Sequence, residues 1–255
     1  MDSNDSLKRI LRCTLGDRYL LREYINQWKK AGVGDSEATL DADSPENPCT
    51  ARWNNMDDEK TKRAWGVYDE TGIFTAVCCH GFSLLIADIV QSGELATYPL
   101  AIVAKVIDIV GDGLGGGYDI GCQFRTTLDN SPLGPRARSL HYTSLVGAFH
   151  GHAHRQFCQL DHLARYVLGL GLEDLETCER TFSKSNVLAP TTHYTSIFHC
   201  QQAIASYFEY NDEYEVYANL SDFLYNNYKQ ALNIISDSHV TLPKLMHDLN
   251  LQPFA

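Results

Sequence analysis

Apolar positions recur along this chain at more than one period, and each change of period marks a change of element. In "GIFTAVCCHGFSLLI", residues 72–86, aliphatic, β-branched and aromatic side chains follow one another with a break around Gly81. Such a run predicts two short buried strands. In "ELATYPLAIVAKVIDIV" the apolar residues fall at helical steps from Leu100 to Val110, which predicts a helix ending in the loop "GDGLGGG". "YDIGCQF" then reads as a strand with Asp119 near its start. "SLVGAFHGHAH" is a further strand candidate, and "RQFCQLDHLARYVLG" a helix. Upstream, "RYLLREYINQWKK" gives a short amphipathic helix. The run 31–62, rich in Asp, Glu, Asn, Gly and Pro, reads as a long loop, of the kind that is functional or disordered inside a domain. Beyond Ser196, Tyr207, Tyr210, Tyr214, Tyr217, Leu220, Leu224, Tyr228, Leu232 and Ile235 recur every three or four residues. They form one stripe along helix, suited to core or helix-pair packing.

Strands alternating with helices predict an α/β fold, with a mixed sheet because the first strands are close enough to form a hairpin. The expected division is an α/β domain over 1–195 and a helical extension over 196–255. At 255 residues and 44% hydrophobic composition the chain can bury a sizeable core. Its longest apolar run, "PLAIVAKVIDIV", is short for a bilayer and carries Lys105 and Asp108, so no membrane contact is expected. Without a recognisable signal peptide, the eight cysteines read as reduced thiols or metal ligands. They contain no C-x-x-C pair, which excludes a local cysteine-only zinc module. A net charge of -11 argues against a broad polyanion-binding face and confines any nucleic-acid contact to a local one.

Three stretches carry candidate chemistry. "GDGLGGG" contains G-x-G-x-x-G at Gly111, Gly113 and Gly116. A dinucleotide fingerprint follows a strand and opens a helix, whereas here the order runs from helix into strand, so a flexible turn is the better reading. "HGHAHRQFC" offers His150, His152 and His154 on one face of a strand, or His150, His154 and Cys158 on one face of a helix. Either set suits zinc, against the plainer reading of buried or solvated histidines. The third group is acidic. Asp119 follows a glycine run, Glu176 and Glu179 share a face of a predicted helix, and Asp2 opens the chain. Carboxylates that gather two divalent ions can support phosphodiester cleavage, although a charge run by itself is more often a solvated face.

Taken as an ordered set, "MDSNDSLKRI", "CCHGF", "SGELATYPLA", "YDIGCQF", "FHGHAHRQFCQ" and "GLGLEDLETCERTFSKSN" resemble the Kyakuja, Dileera and Zisupton (KDZ) transposases of fungal genomes. The resemblance runs from residue 2 to about 236. It implies an RNase H-like mixed sheet flanked by helices, with a DDE acidic triad binding Mg²⁺ or Mn²⁺, acting on DNA at transposon ends in the nucleus. Matched to the family's motifs, the first acid is Asp2 and the second Asp119. "ERTFS" is also similar to the end of hAT-type catalytic domains and favours Glu179 as the third, with Glu176 close behind. Arg180 would orient a carboxylate, contact phosphate or form a structural salt bridge. His80, His150 and His154 fall on family histidine positions.

The departures from that pattern matter as well. Met1 alone precedes Asp2, so the first strand is expected to be largely missing and the chain to be a fragment inactive by itself. The family's cysteine-rich N-terminal region is not seen, Leu175 stands where glycine is favoured, and Cys79 replaces a usual arginine. Two other functions stay open: a non-enzymatic relic or domesticated protein that self-associates through its C-terminal helix, and a zinc-stabilised binding module built on His150, His154 and Cys158.

Overall fold

The computed structural model describes residues 1–4, 18–29, 49 and 68–251. Apart from Cys49, the expected loop at 31–62 lies outside them. The chain divides into two compact units, Met1–Glu209 and Tyr210–Ala255.

In the first unit, β1 (Asp2–Asn4), β2 (Glu70–Val77) and β3 (Ser83–Val90) form an antiparallel sheet in the order β1-β2-β3. β2 is central and is buried from Glu70 to Ala76, so its apolar residues Ile73, Phe74 and Ala76 do not alternate with exposed ones, and Glu70, Thr71 and Thr75 are buried polar residues. Its two faces meet different partners. Phe74 and Ala76 join Leu85, Ala87 and Ile89 of β3 against helix α2 (Thr97–Val110), while Ile73 and Ile86 pack on Cys200, Ile204 and Phe208. The β2–β3 hairpin turns where expected: Gly81 has φ +103°, a conformation costly for other residues, and its N–H donates to the Cys78 carbonyl. Helix α1 (Arg22–Lys29) buries Ile25 in the same core. α2 is buried on nearly every side from Thr97 to Ala104 and again at Ile107, where its sequence is mostly apolar, and its charged residues Lys105 and Asp108 fall in the less buried second half.

Past α2 the expected elements shift. The strand is the glycine run itself, β4 (Gly115–Gly117), paired in parallel with β5 (Thr143–Leu145). Three glycines have little strand propensity, and close packing is what places them there. A Cβ on Gly116 would come 2.1 Å from the Tyr142 hydroxyl, and one on Gly117 would come 2.7 Å from the Leu175 Cβ. "YDIGCQF" is therefore a turn followed by helix α3 (Gly121–Asn130), not a strand. Gly111 and Gly113 precede β4 and do not join a strand to a helix, which counts against the dinucleotide reading. α4 (Gly134–Ser139) leads into β5, a strand that stops at Leu145; His150–Ala153 is a turn of 3₁₀ helix. α5 (Gln156–His162), α6 (Thr177–Ser185), α7 (Ala189–Thr192) and α8 (Ile197–Tyr210) follow. The Met1 amino group donates to the Gly117 carbonyl, setting β1 beside the end of β4.

The second unit is helical. A π-helical segment, Asn211–Val216, precedes α9 (Tyr217–Asp248), none of whose residues is buried. The periodic stripe is a helix as expected, but over α9 it is exposed and not part of a core. Among the described residues no helix is long and apolar enough to cross a membrane.

Candidate functional site

Two neighbouring constellations meet at residue 119. β4 ends at Gly117, and Tyr118 is locked into the core: its N–H donates to the Leu145 carbonyl, its hydroxyl donates to Glu94 at 3.0 Å, and its ring lies edge-on to Phe74. Asp119 thus projects from a fixed turn just past the strand. Gly121 allows the turn to close, since a Cβ there would meet the Leu145 carbonyl oxygen at 1.9 Å.

The first constellation is acidic. Asp119, His150 and Glu179 each place a ligand atom within 4.8 Å of the others. His150 Nδ1 lies 3.0 Å from Asp119 Oδ1 and 3.7 Å from Glu176 Oε2. Glu176 is the N-cap residue of α6, and its Oε1 accepts the Phe149 N–H at 2.8 Å. Gly147 leaves room for that carboxylate, because a Cβ there would lie 2.4 Å from Glu176 Oε1. Glu179 stands exposed in the first turn of α6. Burial, followed by the charges of Glu94, Glu179 and Glu176, pushes the Asp119 carboxyl up to about 7, partly offset by the Met1 ammonium.

Asp2 is placed by its backbone, opposite Thr75 in the β1–β2 ladder. The Cys178 thiol reaches the Thr75 carbonyl at 4.0 Å, so the start of α6 comes down at that point of the sheet. Arg180 is engaged as a structural ion pair, its guanidinium forking onto Asp174 at 2.7 and 3.1 Å and reaching Thr177. Asp174 also caps the Glu176 N–H, and its carbonyl accepts the Ala148 N–H. Leu175 between them has φ +61°, which explains why glycine would suit the position better.

The second constellation is sulfur-rich. The expected set of His150, His154 and Cys158 is split, because the segment is neither a strand nor one helix. His150 turns to the carboxylates, His152 is exposed, and His154 is buried between Cys122 and Cys158, with Cys49 completing the group. His80 lies exposed at the hairpin with the Cys78 and Cys79 thiols near its Nδ1. Sequence reasoning passed over Glu94, although it sits within "SGELATYPLA". It also missed Cys49 and Cys122, which carry no local spacing signal.

A family model described as Kyakuja-Dileera-Zisupton transposase matches residues 1–212. The chain belongs to this family. Its function is accordingly transposase-related, which sets the acidic constellation in the context of DNA. No curated protein and no solved structure matches the chain.

Proposed function

We propose that this KDZ chain carries the metal site of a DDE-type transposase on an RNase H-like fold, with Asp2, Asp119 and Glu179 as the acids and Glu176 beside them. The observation that carries the reading is the convergence of Asp119, Glu179 and His150 within 4.8 Å. The donor set fits Mg²⁺ or Mn²⁺, which take carboxylate oxygens. Burial and the neighbouring acids push the Asp119 carboxyl up to about 7, and a cation would relieve that crowding. What favours Glu179 over Glu176 as the third acid is freedom: one Glu176 oxygen is already committed to the Phe149 N–H.

When bound, two such ions supply an activated water and stabilise the leaving oxygen of a phosphodiester. The protein's own groups hold and orient. Asp119 is fixed through Tyr118, Glu176 through Phe149, and His150 Nδ1 stands 3.0 Å from Asp119 Oδ1. The substrate is the DNA of a transposon end, followed by attack of its freed 3′-hydroxyl on target DNA in the nucleus. The RNase H-like reading is supported by an antiparallel β1–β3 sheet, a following helix, and a parallel β4–β5 pair reached from β1 through Met1 and Gly117. We take the catalytic portion to be residues 1–195 together with α8, which packs on Ile73 and Ile86 of the sheet, and the remainder to be a helical extension used for self-association.

The test is Mn²⁺- or Mg²⁺-dependent nicking of supercoiled plasmid together with the metal-induced rise in Tm. Both are expected in the wild type and lost in Asp119→Asn and Glu179→Gln. A Tm that does not respond to either metal overturns the site. A metal response without nicking retains the site and assigns the chain to the non-enzymatic, relic reading.

A further inference from the structure

We infer that Cys49, Cys122, His154 and Cys158 form a structural zinc site, separate from the acidic centre and lying against its backbone. Their four donor atoms all lie within 4.8 Å of one another. Cys122 Sγ and Cys158 Sγ are 3.5 and 3.3 Å from His154 Nδ1. Around a tetrahedral zinc with Zn–S near 2.3 Å and Zn–N near 2.0 Å, sulfur and nitrogen ligands stand about 3.5 Å apart. The spacing is therefore that of ligands around one ion.

The tautomer agrees. His154 Nε2 lies 3.1 Å from the Asp119 carbonyl oxygen, an acceptor, so Nε2 carries the proton and donates it. In the neutral ring this leaves the Nδ1 lone pair facing the thiols, as a metal ligand requires. His154 is 3% exposed and Cys49 is 2% exposed, and all three cysteines are free thiols. Cys49 is buried and Cys122 and Cys158 are half-buried, and a zinc ion with three thiolates and one imidazole would engage all four donors at once. The ligands come from four places: residue 49, the first turn of α3, the end of the 150–153 turn, and α5. One ion would tie them together and hold the backbone of Asp119 through His154.

The decisive measurement is metal content and ligation of the purified full chain. One zinc per chain is expected, with X-ray absorption showing three sulfurs and one nitrogen. Co²⁺ substituted for it should give the intense visible bands of a tetrahedral thiolate site. Cys122→Ser and Cys49→Ser are expected to lose the ion. Asp119→Asn should retain the zinc while losing the Mg²⁺ response, so failure of this site and failure of the acidic one are distinguishable. The inference is overturned by protein free of zinc whose cysteines react as ordinary thiols or pair as a disulfide. A zinc bound mainly by oxygen and nitrogen overturns it too, and that result needs only the wild type.

Discussion

Asp119 shows how position alters an ordinary side chain. Its carboxyl rises from 3.8 to about 7 because it is largely removed from water and faces Glu94, Glu179 and Glu176, with the Met1 ammonium opposing the rise. The folded state therefore binds this proton more tightly than the unfolded chain does. Asp119 contributes stability that is lost as pH climbs from about 4 to 7, since linkage makes stability fall wherever the native state holds the extra proton. In metal-free protein, Tm is expected to decline across pH 5–7.5 more steeply for the wild type than for Asp119→Asn. Equal slopes would remove Asp119 as the cause. Since metal needs the ionised carboxylate, Mg²⁺ stabilisation should grow across the same interval. Gly147→Ala tests the neighbouring acid. Its Cβ would strike Glu176 Oε1 and displace the carboxylate from the Phe149 N–H, at a cost of roughly 0.5–1.5 kcal/mol for the loss of an exposed hydrogen bond. The readout is chemical denaturation, and an unchanged midpoint would show that Glu176 is not held there.

At the level of elements, the tightest joint is between α3 and β5. Gly121 N–H closes the turn onto the Tyr118 carbonyl, its own carbonyl accepts the Ser144 hydroxyl at 2.8 Å, and its Cα faces the Leu145 backbone with no room for a methyl group. Backbone cannot yield as a flexible side chain can. Gly121→Ala is expected to destabilise by about 3 kcal/mol or more, in the range of core overpacking, and to be recovered largely as insoluble protein. Soluble Gly121→Ala with wild-type Tm would contradict the close approach. On the opposite face of the sheet, Ile204 of α8 is 1% exposed against Ile73, Ile86 and Phe208. Ile204→Ala should cost about 2–5 kcal/mol by denaturant unfolding, the range for emptying a buried aliphatic site. A cost near zero would mean that α8 is not part of the core.

For the whole molecule, charge and exposed apolar surface set the expectations. A net charge of -11 means that DNA contact must come from a local site or through bound metal, because few phosphates can be neutralised by the chain itself. α9 carries Leu224, Tyr228, Leu232 and Ile235 exposed along one helical stripe, and apolar stripes of that extent on soluble proteins mark contact surfaces. Size-exclusion chromatography with light scattering is expected to show self-association that Leu224→Asp with Leu232→Asp abolishes. A monomeric wild type at micromolar concentration would exclude it.

Where burial follows from local pattern, the sequence by itself determined the element. The β-branched and aromatic residues of β2, the break at Gly81, the helical steps of α2 and the stripe of α9 are each written in neighbouring residues. Asp119 and Glu179 stand in stretches that carried the sequence resemblance, and the fold brings their carboxylates to one point beside His150. Tertiary structure alone decided the rest. β4 is built from three glycines whose room is taken by Tyr142, Leu170 and Leu175, residues distant along the chain. His150 and His154, four residues apart, turn to different centres because the 3₁₀ turn between them breaks both the strand and the helix period. Cys49, Cys122 and Cys158 meet across loops that no spacing rule encodes. Periodicity reports which face of an element is buried; which distant side chains share a point in space depends on how those faces pack.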